Sequence, residues 1–191
     1  MSDKRDSLLQ LLSRYQPIDA DDQAQAERIK NFVLAHVDCF DRSNQQGHIT
    51  GSAWVVNSAG TQVLLTHHKK LNLWLQLGGH SDGDPNPLQV ALREAQEESG
   101  LTGLAPFSED IFDLDVHAIP GYKNDPSHYH HDIRFAFRCT AEQPLRLSDE
   151  SHDLRWVEIS KLEDLTQEES ILRMKKKWLA TIKNPSAVAD G

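Results

Sequence analysis

The sequence predicts a mixed α/β sandwich in which helices cover a sheet, and three observations carry that fold class. Two amphipathic helical segments open the chain. Runs of apolar residues then read as strands from about residue 48 to residue 77. A third helix, over residues 87–99, is embedded between those strands and later ones, so a regular βαβ repeat is not expected. A chain of 191 residues fills one domain well and is short for two. The expected organisation is an N-terminal helical extension at 1–45 packed on a domain at 46–185.

Each element has its own local cause. Leu8, Leu9, Leu11 and Leu12 give residues 6–15 an amphipathic helix, and Ile29, Val33 and Val37 do the same for 21–38. Asp19 to Asp22 supply an N-cap and first-turn negative charge for the second helix. I-T-G-S-A-W-V-V, the N-S-A-G turn and Q-V-L-L-T-H-H predict a hairpin. L-N-L-W-L-Q-L alternates and predicts a third strand, and G-G-H-S-D-G-D-P-N-P predicts a loop. Pro87 suits the first turn of the next helix, and Gly100 stands where its end needs a left-handed residue. Further strands are expected at 111–118, 129–139 and 153–158, with a last helix at 167–183.

Composition excludes several classes of function. A net charge of −9 disfavours a nucleic-acid backbone as partner. Acidic balance remains compatible with a phosphorylated substrate when divalent ions bridge the negative groups. Two cysteines, Cys39 and Cys139, are too few for a disulfide framework or a cysteine-rich zinc site. No segment reads as a signal peptide or a bilayer span, so a reduced cytoplasmic compartment is expected, with no membrane partner.

The run R-E-A-Q-E-E-S-G-L at 93–101 carries the chemistry. Glu94, Glu97 and Glu98 crowd into little more than one helical turn. Like charges at that spacing repel by roughly 0.2–0.5 kcal/mol per pair, so the helix is either solvated or holds a cation. Leu88, Ala91, Leu92 and Ala95 form an apolar stripe, and Glu94 and Glu98 lie together on an adjoining flank with Glu97 beside them. Arg93 stands one turn before Glu97 and is expected to pair with it. Carboxylate oxygens are what Mg²⁺ or Mn²⁺ prefers.

With Gly79 upstream, this run resembles the Nudix box, and the resemblance covers about residues 46–160. It implies a Nudix-like α/β/α sandwich with a mixed sheet, and Mg²⁺- or Mn²⁺-dependent hydrolysis of a nucleoside diphosphate linked to a further group or of a similar small organic diphosphate. It implies Glu94, Glu97 and Glu98 as metal ligands, with catalytic roles for Arg93, Glu97 and Glu98. Gly79 and Gly100 would shape the loop and the helix end. Where Nudix proteins carry a Glu six residues after that first Gly, this chain has Pro85. Asp82 and Asp84 lie in the same loop and could substitute. That departure also motivates a second reading, a catalytically weak nucleotide-binding or regulatory domain. A third, isomerisation of an isoprenoid diphosphate, would want a cysteine near the early strands, where neither Cys39 nor Cys139 falls.

A second constellation is H-Y-H-H-D at 128–132, leading into a strand. Strand alternation puts His128, His130, Asp132 and Arg134 on a polar face, and Tyr129, His131, Ile133, Phe135 and Phe137 on an apolar one. A substrate-binding role is expected for the polar face, in preference to zinc, and for His80 after the glycine pair. His117 could join the group. Downstream, Glu150 is the best candidate for a further catalytic carboxylate in a loop, ahead of Asp149, His152 and Asp153. Trp54 and Trp74 could stack on a base, but buried strand aromatics are the commoner case and the reading favoured here. The lysines at 175–177 favour the end of the last helix. A homodimer is compatible with the N-terminal segment.

Overall fold

The structure, a computed structural model, describes residues 3–121 and 126–183. The helices are α1 (Asp6–Arg14), α2 (Ala20–Ala35), α3 (Pro87–Ser99), α4 (Leu162–Leu165) and α5 (Glu169–Lys183). The strands are β1 (Gly47–Val56), β2 (Gln62–His68), β3 (Leu73–Leu75), β4 (Leu77–His80), β5 (Leu104–Pro106), β6 (Asp113–Ile119), β7 (His128–Cys139) and β8 (Ser151–Glu158). They hydrogen-bond along the path β3-β2-β1-β7-β5, with β4 on β1, β6 on β7 and β8 on β2.

Contacts divide the chain into two compact units. The first holds the described residues up to Ser52, together with Gly78–Glu94 and Glu109–Phe135. Here Leu8 and Leu12 of α1 and Ile29 and Val33 of α2 are buried. Asp19 caps α2, its carboxylate accepting from the Asp22 amide at 2.9 Å. At the other end, Arg5 donates to the carbonyls of Val33 (3.0 Å) and Leu34 (3.1 Å), which the helix leaves unsatisfied. Val37, expected inside this helix, lies beyond its end and is 78% exposed. Antiparallel pairing joins β6 to β7 from Asp113↔Arg134 to Ile119↔His128. Gly51 on β1 matters for α3: a Cβ there would stand 2.6 Å from the Pro87 carbonyl and 3.0 Å from the Ala91 amide.

The second unit holds Ala53–Leu77, Ala95–Ser108 and the described residues from Ala136 onward. Strand β2 pairs antiparallel with β8 along its whole length and with β3 at its end. Trp178 of α5 is fully buried, its indole donating to Gly60 O at 2.9 Å and meeting the Phe107 ring edge-on at 5.1 Å. Trp54 is buried as expected, and Trp74 stacks on His67 with the Arg155 guanidinium 4.6 Å from its ring centre.

Two expectations about the strands also need correction. The single strand expected over L-N-L-W-L-Q-L is two strands, because β3 pairs with β2 whereas β4 pairs with β1. Gly78, Gly79 and His80, expected in the loop, belong to β4. The glycines permit this: a Cβ at Gly78 would lie 2.8 Å from Ser52 Cα, closer than any side chain tolerates.

Candidate active site

Helix α3 begins where the local chemistry requires it. The Asn86 side chain accepts from the Gln89 amide at 3.3 Å, as an N-cap does, and Pro87 follows at a position that needs no amide donor. Val90, Ala91, Ala95 and Ser99 are buried. Gly100 ends the helix with φ +72°, in the left-handed region that a C-terminal glycine provides. Of the three glutamates, Glu97 is exposed, whereas Glu94 and Glu98 are partly covered.

Glu94 is seated in detail. Gly79 lies directly beneath it, and a Cβ on Gly79 would overlap the Glu94 carboxylate. Arg93 Nη2 donates to Glu94 Oε1 at 3.2 Å and to the His80 carbonyl at 3.2 Å, and its Nη1 lies 3.6 Å from Asp84. The expected Arg93–Glu97 pair is therefore corrected: Arg93 turns toward the glycine strand and grips Glu94. Of the two aspartates considered as substitutes for the carboxylate missing at Pro85, Asp84 reaches Arg93. Asp82 is paired with Arg42, whose guanidinium holds its carboxyl below the usual range. The donor set on α3 is all oxygen, and it suits a hard divalent ion.

Next to this arginine the histidines gather. His80, whose carbonyl Arg93 holds, has its ring centroid 5.0 Å from that of His48 and 4.9 Å from that of His130. His48 lies 4.9 Å from both His128 and His130, ring to ring. His128 and His130 face each other through Nε2 atoms 3.4 Å apart, and the His128 Nδ1 is held by the Pro126 carbonyl at 3.0 Å. His117 flanks His130 at 5.4 Å and is itself bonded to Asp115 at 3.1 Å. Burial, followed by the charge of His80, lowers His48 to about 4 and His130 to about 2. Both are neutral near pH 7. Sequence reasoning missed His48, though the alternation His48, Thr50, Ser52 along β1 marks a polar face on that strand.

Asp132 and Arg134 lie deeper on β7 and are 1% and 2% exposed. Arg134 donates to Asp132 at 2.7 Å and Asp113 at 3.1 Å and lies 3.2 Å from Asp115. Thr50 (2.8 Å) and Ser52 (2.7 Å) donate to the other oxygen of Asp132. Asp132 and Arg134, expected on a substrate-binding polar face, are thus part of a buried ion network here, with its polar atoms turned on one another. His131, on the opposite face, stacks on Phe32 with centroids 3.8 Å apart.

Glu150 is exposed at the turn before β8, in the unit that holds Glu97 and Glu98, where its charge acts on His68. Asp153 is tied to Arg155, which lowers its carboxyl. Asp149 accepts from Lys69 at 2.6 Å through its backbone carbonyl.

A family model described as the NUDIX domain matches residues 48–179. Among solved structures, an Ap4A hydrolase binary complex from C. elegans has a TM-score of 0.57 at 18% identity, over 71% of this chain and 98% of that one. A hydrolase of the NUDIX family from Clostridium perfringens has a TM-score of 0.52 at 25% identity, over 70% and 97%. The NUDIX domain of Shewanella oneidensis NrtR, complexed with ADP ribose, has a TM-score of 0.51 at 14% identity, over 70% and 87%. Comparison with curated proteins found no match. The fold class is an α/β/α sandwich with a mixed sheet and an N-terminal helical segment. Among the described residues no helix is long and apolar enough to cross a membrane. The chain belongs to the Nudix family, and its enzyme class is that of a Nudix-type hydrolase acting on phosphoric anhydride bonds.

Proposed function

We propose that this protein hydrolyses a diphosphate linkage in a nucleoside diphosphate joined to a further group, or in a similar small organic diphosphate, with Mg²⁺ or Mn²⁺ held by α3. The observation that carries the reading is the seat of Glu94 over the missing Cβ of Gly79, fixed by Arg93. Glu94, Glu97 and Glu98 are the ligands in this reading. The bound ions supply charge neutralisation on the phosphoryl oxygens and a more acidic water. Arg93 is a positioning residue, since its contacts are to Glu94, His80 O and Asp84. Glu98, partly covered, is the better placed of the two downstream glutamates to orient or deprotonate water, and exposed Glu97 completes the oxygen shell. Glu150 is a candidate further carboxylate. His80, His128 and His130 are proposed to face the substrate, and Asp132 and Arg134 to hold that wall in place from within.

The test is Mg²⁺-dependent release of phosphate-containing products from a panel of nucleoside diphosphate derivatives. Glu94→Gln and Glu98→Gln should each lower turnover on the order of a hundredfold or more. A specific feature, Pro85 where the family carries Glu, favours a second reading as a nucleotide-binding domain with little turnover. Tight nucleotide binding without hydrolysis of any panel member would establish it in place of the first.

A further inference from the structure

We propose that His48, His128 and His130 form a second metal site, separate from the box carboxylates, that takes a borderline divalent ion of the zinc class and leaves one coordination position open. Among the described residues, these three offer ligand nitrogens that all lie within 4.8 Å of one another. The Nε2 atoms of His128 and His130 are 3.4 Å apart. Two nitrogens bound to one tetrahedral ion at about 2.0–2.1 Å are separated by about 3.3–3.4 Å, so this pair is already spaced as ligands.

His48 supplies an independent observation. It is 3% exposed, and neither ring nitrogen has a hydrogen-bond partner. A buried imidazole with no partner is costly, and an ion between it and the other two rings would satisfy one nitrogen. His128 is oriented as a ligand should be. Its Nδ1 donates to the Pro126 carbonyl, which leaves the Nε2 lone pair facing inward.

The spacing decides between a metal and an anion. The His128 and His130 Nε2 atoms face each other at 3.4 Å, the separation of two ligands on one ion, and the His128 Nδ1 already donates its proton to the Pro126 carbonyl. Nitrogen donors favour zinc, cobalt, nickel or copper over magnesium, which selects oxygen. The open position is flanked by His80 and by His117, the latter oriented by Asp115. Because Arg93 holds both the His80 carbonyl and Glu94, the open position adjoins the box, and a phosphate or carboxylate oxygen of a ligand is the group suited to fill it. The metal site itself does not rest on the diphosphate reading.

The experiment uses the full chain, stripped with chelator, loaded with Zn²⁺ and desalted, with bound metal read by mass spectrometry and affinity by competition with a chromogenic chelator. One tightly held zinc per chain is expected, and Co²⁺ in its place should give the intense visible bands of a tetrahedral ion. His128→Gln and His130→Gln should each weaken zinc binding on the order of a hundredfold. Glu94→Gln should leave it unchanged. His48→Gln should also lose zinc; should that buried substitution prevent folding, judged by circular dichroism, the two β7 variants still decide. Wild-type protein that retains no zinc, zinc binding indifferent to both β7 substitutions, or zinc lost with Glu94→Gln would each overturn the proposal.

Discussion

One absent methyl group decides where the first box carboxylate sits. Gly79 is not in the left-handed region, so alanine there costs no backbone strain, yet its Cβ would overlap the Glu94 carboxylate. Gly79→Ala is therefore expected to cut Mg²⁺-dependent turnover on the order of a hundredfold, the scale of an ångström-sized misplacement, while the melting temperature stays close to wild type. Wild-type turnover in this variant would show that the seat of Glu94 is not required. Arg134 presents the opposite case, a residue whose importance is to stability. Desolvation opposes its charge, but Asp132, Asp115 and Asp113 outweigh that and hold it protonated. Arg134→Met would strand three carboxylates in a dry site, and a loss of about 3–5 kcal/mol is expected in urea unfolding. A loss below about 1 kcal/mol would mean the carboxylates are neutralised by other means. The glutamates, Arg93, His128 and His130 could be picked out as candidates from the sequence because their spacing is local. His48 was not legible, since a lone histidine in a strand gains meaning only when a second strand is laid beside it.

At the scale of elements, α3 was the most readable. Its predicted span, 87–99, is the observed one, because proline, an apolar stripe and a terminal glycine all act within the helix itself. The strands that depend on distant partners were read less well. β3 and β4 divide only because they pair with different strands, and β5 is three residues defined by its ladder with Cys139, Arg138 and Phe137. What places α3 is the bare surface at Gly51. Gly51→Ala would push a methyl group against the Pro87 carbonyl, 2.6 Å from the built Cβ, where neither backbone can yield cheaply. Overpacking of this kind costs about 1–3 kcal/mol. Because the displaced stretch of α3, Pro87–Ala91, leads directly into Arg93 and Glu94, turnover should fall with stability, in contrast to Gly79→Ala. Denaturant midpoints and kinetics measured side by side separate the two, and a Gly51→Ala protein with both properties unchanged would refute this account of the helix's position.

For the molecule as a whole, composition narrowed the possibilities and motif spacing chose among them. The charge of −9 alone would disfavour a phosphorylated ligand, and divalent ions held by the α3 carboxylates, as proposed, would reconcile the two. Global stability carries a pH dependence that the buried Cys39 sets at the alkaline end. Cys39 is fully buried, and burial pushes its thiol up to about 12 from an ordinary 9.0. In the unfolded chain the thiol ionises near pH 9, whereas in the folded protein it keeps its proton. The unfolded state therefore binds fewer protons between pH 9 and 12, so the stabilisation is fully present below pH 9 and is lost as pH rises. At about 1.4 kcal/mol per pH unit once the unfolded thiol is ionised, wild type should lose about 1.4 kcal/mol more than Cys39→Ala between pH 8 and pH 10. Urea unfolding of both proteins across that range checks this, because lysine and tyrosine titrations are common to the two and cancel in the difference. Parallel curves would mean that the Cys39 thiolate is tolerated in the folded protein, and that water reaches it before the chain unfolds.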